Sequence, residues 1–393
     1  MTKNKNILIV ALVALVNMLG YGIIIPILYT YSKKYGLSDF QNGLLFALYS
    51  ICQFISTPII GRLSDKYGRR PMLLISILGT AASFFMMAIA PNALFLFLSR
   101  ALDGLTAGNI PVVFAVVSDS TKPEERAGAF GFIGSAFNFG FVFGPAIAAL
   151  TIGIHSALPF MIAGAVTLLA AILTALYLPE TNQHMGEVKD SKLFDFKKMW
   201  RTLFDPGVGV TFIISLIFFL AFSCAIIYGF QPFTLNVLHI TETQNALLFT
   251  LFGAMGLISQ TFLVGRISKK FGTKKSFSSS ILLTAMTFFV MFLSHSIITF
   301  VGAMLVLALV NSLVQTLIPT ILSQETDEKS QGSIMGLNAS YQSIGMIVGP
   351  IMGGAIATIS IPMTFLTASL LVLVCFFLSF YAIRTTKKKE SVF

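Results

Sequence analysis

The chain has 393 residues, of which 55% are hydrophobic and only 11% charged, and it carries a formal net charge of +10. A soluble domain carries about 25% charged residues, so this composition excludes a soluble globular protein and indicates a polytopic membrane protein. Cys52, Cys224 and Cys375 all fall in apolar runs, which predicts neither a disulfide framework nor a metal site.

A membrane-crossing helix needs about 20 apolar residues. Twelve such runs follow in chain order, at 6–30, 40–60, 71–90, 93–117, 127–152, 157–178, 208–231, 244–266, 276–294, 296–321, 331–358 and 362–384. The first run, from Ile7, has no short apolar core followed by a small-residue cleavage site, and so reads as span 1 and not as a removed leader. The expected fold is an all-α membrane protein of 12 transmembrane helices. It divides into an N-terminal six-helix bundle at 1–178, a linker at 179–207 and a C-terminal six-helix bundle at 208–393.

The charges support that count. With the N-terminus inside, Lys3, Lys5, the 2–3 loop (Arg62, Lys66, Arg69, Arg70), the 4–5 loop (Lys122, Arg126) and the linker are all cytoplasmic. So are the 8–9 loop (Arg266, Lys269, Lys270, Lys274, Lys275), Lys329 and the C-terminal tail, and only Lys33 and Lys34 lie outside. The positive-inside rule thus places both termini in the cytoplasm. It also accounts for the net charge through anionic lipid, with no nucleic-acid partner required. In the linker, 193–204 is expected to form a short interfacial helix that lays Phe194, Phe196, Trp200 and Phe204 against lipid or protein.

The chain repeats itself at an offset of about 205 residues. The block from Gly61 to Arg70 (GRLSDKYGRR) returns as Gly265 to Lys274 (GRISKKFGTK), Gly144-Pro145 returns as Gly349-Pro350, and Pro26 as Pro232. A duplicated half in a membrane chain implies two pseudo-symmetric bundles with a path between them.

Gly61, Leu63, Asp65, Gly68, Arg69 and Arg70 form a Gly-x-Leu-x-Asp-x-x-Gly-Arg-Arg loop between spans 2 and 3, and here the chain resembles the major facilitator superfamily. The end of span 1 (Gly20 to Pro26), Arg100 with Gly104 on span 4, and Gly140-x-x-x-Gly144-Pro145 on span 5 narrow the resemblance to twelve-span drug/proton antiporters. Residues 15–150 are most similar to tetracycline exporters. The chain departs from those exporters where they carry acids, having Asn17, Ser83 and about Thr284 there, and span 5 ends in Ala148-Ala149 where the antiporter motif favours two glycines. The resemblance implies the major facilitator fold. It also implies that Asp65, Arg69 and Asp119 form a charge cluster latching the outward-open state, with Gly61, Gly68 and Arg70 shaping the loop, and that a kinked span 5 (Gly140, Gly144, Pro145) prevents ion leakage.

The residues carry their own reading. Asp65 lies one turn from Arg69, and Asp119 at the inner end of span 4 is the natural second carboxylate. The alternative is that these charges serve topology alone. Arg100 and Asp103 stand at i, i+3 on one face of span 4. Counting from Leu94 puts Asp103 roughly 13 Å into a ~30 Å core, where ionisable groups face the bundle interior. Asp103 is therefore the expected proton acceptor, with Arg100 biasing release, and the alternative is a fixed ion pair. Gly104 and Gly108, like Gly140 and Gly144, are expected to let helices approach closely, and Pro111 and Pro145 to bend their spans.

Polar residues inside apolar spans outline a substrate cavity: Asn17 and Tyr21, Gln53, Asn109, Asn138, Tyr228 and Gln231, Gln260, Asn311 and Gln315, and Asn338, Tyr341 and Gln342. Each is equally suited to interhelical hydrogen bonding. The histidines (His155, His184, His239, His295) sit at span ends or in loops, and no phosphate-binding glycine loop ends in lysine. No enzyme and no cofactor is expected. The expectation is a monomeric transporter of the plasma membrane, both ends cytoplasmic, exchanging a small lipophilic compound for protons. A metabolite facilitator or symporter and a lipid or glycolipid flippase are the rival readings.

Overall fold

A computed structural model describes residues 2–182, 195–326 and 330–390; most of the linker, with His184 and Phe194, and Lys329 lie outside the described residues. Every regular element among the described residues is helical, as lipid demands, because a helix satisfies its backbone groups internally.

Span 1 is Thr2–Ile24, followed by a turn and a short helix, Leu28–Lys33. Spans 2 and 3 are Asp39–Tyr67 and Arg69–Ala88. Span 4 is broken into Ala93–Thr106 and Ile110–Ser120, with Pro111 opening the second piece. Spans 5 and 6 are Pro123–Ile152 and Leu158–Tyr177. Span 7 runs Gly209–Phe222 and Phe230–Asn236 around a π-helical turn, Ser223–Gly229. Span 8 runs Glu242–Ile258 and Val264–Phe271 around another, Ser259–Leu263. Thr273–Phe292, Ile297–Gln324, Gln331–Ala357 and Met363–Glu390 complete the series. Eleven helices among the described residues are long and apolar enough to cross a membrane. Gln331–Ala357 is long enough at 27 residues, but Asn338, Gln342 and its serines and glycines dilute its apolar content.

The chain packs as two compact units. The first takes Met1–Ser38, Leu48–Leu193 and Thr241–Thr250; the second takes Asp39–Ala47, Phe194–Ile240 and Leu251–Phe393. Each unit therefore contains the start of one helix whose remainder belongs to the other, at the head of span 2 and the head of span 8. Polar contacts within each unit fix these segments. In the second unit, Tyr228 donates its hydroxyl to the Asp39 carbonyl at 2.9 Å, and Gly43 packs against the backbone of Pro350 and Gly354. In the first, Asn245 donates to the Pro26 carbonyl at 2.8 Å.

The linker helix forms at Phe196–Thr202, capped by the Asp195 carboxylate on the Lys198 amide. It belongs to the second unit, where Tyr341 donates to the Met199 carbonyl at 2.6 Å and Lys198 reaches Ser333 Oγ at 2.6 Å. Its aromatic residues Phe196 and Trp200, with Phe204 just beyond, stay exposed.

Small residues set the helix spacing in both units. On span 5, a Cβ at Gly144 would meet the Leu19 carbonyl at 2.6 Å and Gly22 Cα at 2.8 Å on span 1. A Cβ at Gly349 would likewise meet the Leu220 carbonyl at 2.6 Å and the Cys224 amide at 2.9 Å on span 7. Behind span 1, the core of the first unit is a stack of fully buried aliphatic residues, including Val10, Ala14, Leu73, Val112, Val116 and Ile133.

Candidate functional site

Span 4 builds the site because its own packing leaves room for little else. A Cβ at Gly104 would strike the Tyr49 carbonyl, and one at Gly108 would lie 2.6 Å from Ser56 Oγ, so these glycines seat span 4 directly on span 2. Ser56 Oγ seals the contact by donating to the Gly104 carbonyl at 3.1 Å. The close approach brings Tyr49 and Gln53 of span 2 against Arg100 and Asp103.

Among the described residues, Asp103 is the one buried carboxylate and Arg100 the one buried cation, at 5% and 1% exposure. Arg100 Nη1 donates to Asp103 Oδ2 at 3.0 Å. The guanidinium lies over the Tyr49 ring, 4.4 Å from its centroid, which adds cation–π attraction in a desolvated setting. Tyr21 of span 1 packs on Tyr49 with centroids 5.8 Å apart. Gln53 donates to the Tyr49 hydroxyl at 3.1 Å and to the Ala107 carbonyl at 3.4 Å. That carbonyl lies where span 4 breaks and its helical ladder stops. Asn17 donates to Asn109 Oδ1 across the same region at 2.8 Å.

A cavity of about 20 Å3 sits among these groups, lined by Asn17, Tyr21, Tyr49, Gln53, Thr80, Phe84 and Asp103. That volume suits a single water. Arg100 Nε and Asn109 Nδ2 are buried donors with no partner among the described residues, and such a donor costs about 1–3 kcal/mol while it stays unpaired. The first unit thus holds a charge pair, polar amides and phenols, and unspent hydrogen-bond donors inside an apolar bundle.

Of the residues expected to line a cavity, the structure brings Asn17, Tyr21, Gln53 and Asn109 together around Arg100 and Asp103. Asn138 is half-buried on span 5 and does not line this cavity. In the second unit, Tyr228 is engaged with Asp39, Tyr341 with the linker helix, and Asn338 accepts from Ser215 at 2.8 Å. Gln231 is buried, Asn311 is buried with its Oδ1 unpaired among the described residues, Gln342 is half-buried, and Gln260 and Gln315 are exposed. Ser83 and Thr284 turn their hydroxyls onto carbonyls of their own helices, at 2.7 and 2.8 Å. Tyr49, Thr80 and Phe84 escaped the reading of the sequence. Tyr49 was findable, standing one turn before Gln53.

A second constellation caps the same unit. Gly68 adopts φ +105°, a glycine-favouring conformation that turns the chain into span 3. Arg69 pairs with Asp65 and, through Nε, with Asp119 Oδ2 at 3.3 Å, and its Nη1 donates to Ser64 Oγ at 2.8 Å. Arg70 donates to the Ala175 carbonyl at 2.6 Å. Gly61 makes only an ordinary contact with Pro111.

The major facilitator superfamily model matches residues 10–230 and 212–393. The chain belongs to the major facilitator superfamily. Multidrug resistance protein 1 of Bacillus subtilis (strain 168) is 32% identical over 94% of this chain and 95% of that protein. Tetracycline resistance protein class H of Pasteurella multocida is 29% identical over 91% of this chain and 90% of that one. A bacterial homologue of the human lysosomal transporter Spinster, solved in an inward-facing and occupied conformation, superposes with a TM-score of 0.83 at 16% identity, covering 98% of this chain and 97% of that one. This protein is accordingly a multi-pass membrane transporter and not an enzyme.

In this superfamily member the charged cap extends beyond the loop that carries the resemblance. Glu180, just past span 6, accepts from the backbone amides of Arg69 at 2.9 Å and Arg70 at 3.1 Å, and so caps the start of span 3. A Cβ at Gly68 would strike that carboxylate. Thr181 donates to Asp119 at 3.3 Å, and Asn182 to the Asp65 carbonyl at 3.0 Å. The sequence did carry a signal for Glu180: an acid directly after a span end, on the same membrane side as the basic block.

Proposed function

We propose that this transporter moves lipophilic, amphipathic drugs out across the plasma membrane in exchange for protons, by alternating access, with both termini cytoplasmic. The observation that carries the reading is the Arg100–Asp103 pair, buried inside a span beneath Tyr49 and beside a water-sized cavity. An ionisable group at such a depth is costly and marks an ion pathway. A carboxylate with a competing cation beside it holds a proton or releases it according to what else approaches the pair. The names of the relatives, multidrug and tetracycline resistance proteins, support drugs as the cargo. The aromatic and amide groups around the water-sized cavity suit a neutral or weakly cationic compound once alternating access widens it. In this reading the cap of Asp65, Arg69 and Asp119, closed by Glu180, is a charge latch that opens and re-forms in each cycle. No cofactor takes part, the protein works as a monomer, and the coupling ion is the proton.

Proteoliposomes with an imposed pH gradient test the proposal. Substrate addition is expected to drive proton movement in the native protein, and Asp103→Asn is expected to abolish that movement while substrate still binds. Undiminished coupling in Asp103→Asn would remove Asp103 from the mechanism.

A further inference from the structure

We propose that the apolar groove where spans 1, 5 and 6 meet binds an anionic phospholipid, with one acyl chain along the groove and the phosphate held by Lys5. This groove is separate from the polar site around Asp103 and lies wholly within the first unit. It encloses about 500 Å3. Leu8, Phe132 and Phe139 line it and remain 59%, 49% and 48% exposed, so it opens toward the surrounding medium.

Three observations select the occupant. First, apart from Lys5 and Tyr177 at one end, Ser135 is the lone polar side chain in the lining, and its hydroxyl is already committed to the Gly131 carbonyl at 3.0 Å. The body of the groove therefore offers no free hydrogen-bond donor and suits a hydrocarbon. Second, from Lys5 to Leu15 span 1 rises about 15 Å, which is about half the ~30 Å hydrocarbon core and hence the depth of one leaflet. Third, the charge sits where a headgroup would be. Lys5 Nζ stands 5.2 Å from the Tyr177 ring centroid at the end of the groove and pairs with no carboxylate among the described residues. An aliphatic stem lying on apolar surface with its ammonium at the membrane boundary is the arrangement that meets a lipid phosphate.

The test uses the full chain reconstituted in phosphatidylcholine–phosphatidylglycerol bilayers. Trp200→Phe removes the only tryptophan, and Phe132→Trp places a single reporter in the groove. Bromination of the acyl chains of one lipid class at a time then reports which lipid lies against the reporter. The expected result is preferential quenching by brominated phosphatidylglycerol, with a relative affinity of about five-fold, the increment typical of one lysine at a membrane surface. Lys5→Gln is expected to abolish the preference and Lys5→Arg to keep it. A control reporter, Leu370→Trp on the exposed face of Met363–Glu390, is expected to show no preference. Equal quenching by the two lipids in the groove, or a preference that survives Lys5→Gln, would overturn the proposal. So would a reporter shielded from both lipids by a second copy of the chain, or one quenched by ethidium in place of lipid, which would make the groove a substrate antechamber.

Discussion

The two copies of the repeated block share a backbone and differ in their chemistry. Gly68 and Gly272 both take positive φ, +105° and +79°, and both open the following helix. Around Gly68 the structure gathers Asp65, Arg69, Asp119 and Glu180. Around Gly272 none of the described residues lies within 4 Å of a would-be Cβ, and Lys269 and Thr273 stand where the first block has Asp65 and Arg69. Span 10 shows the same contrast with span 4. Where span 4 carries Arg100 and Asp103, span 10 at the equivalent offset carries Leu305 and Ala308. Span 8 is tied to span 10 by neutral bonds, Ser259 to the Leu309 carbonyl at 2.7 Å and Ser312 to the Gly256 carbonyl at 3.0 Å. The second copy keeps the glycines where spans 5 and 11 cross spans 1 and 7 and the glycine at the turn, but not those of span 4, whose counterparts are Leu309 and Leu313. Charge was kept on one side, in the first unit, at Asp65, Arg69 and Asp119 and at Arg100 and Asp103.

That contrast is open to direct attack. The largest effect is expected from Arg100→Met, which strands Asp103 as an uncompensated buried charge and destabilises the protein by about 3–5 kcal/mol. Adding Asp103→Leu in the same chain is expected to recover most of that stability, because well-packed apolar residues replace buried ion pairs at little cost. The double variant would then resemble span 10 and remain uncoupled. Thermal unfolding in detergent combined with proton-flux assays reads both halves of this expectation. If the double variant were as unstable as Arg100→Met, the pair would not be acting as a charge pair.

A smaller difference is expected between Gly68→Ala and Gly272→Ala. Both force a side chain into positive-φ, extended-ψ backbone that is essentially glycine-only, at about 1–3 kcal/mol. Gly68→Ala must in addition displace the Glu180 carboxylate, so its loss of stability and transport rate is expected to exceed that of Gly272→Ala. Combining it with Glu180→Ala is expected to remove the steric part of the excess. Equal effects in the two single variants would show that Glu180 exerts no constraint on the turn. The smallest effect is expected from Tyr341→Phe, which removes one hydrogen bond to Met199, about 1 kcal/mol. It should appear as faster hydrogen exchange in Phe196–Thr202, with the site of the first unit unaffected.

Much of this architecture was legible because lipid permits few alternatives. Apolar runs of sufficient length, positive charge at alternate loops and two glycine-bearing repeats lead to paired helical bundles without any tertiary information. Asp103 stood out for a similar reason, as a carboxylate in the middle of a span. The site was only partly legible. Asn17, Gln53 and Asn109 were marked by polarity in apolar spans, but the same signal also marked Tyr341 and Asn338, which hold the linker helix and span 7. A polar residue in a span must find a partner in either case, so its presence alone does not separate a ligand contact from a helix tie.

Sequence by itself determined the class, the helices, the duplication and the placing of an ion pair in span 4, since each follows from local hydropathy, spacing and charge. Tertiary structure alone decided what surrounds that pair. Gly104 and Gly108 draw span 2 close enough for Tyr49 to cover Arg100, and the end of span 6 folds back to set Glu180 on the start of span 3. These contacts join residues about 50 and 110 positions apart, and the way helix surfaces meet over such separations depends on the shape of both partners, which no local pattern in the chain records.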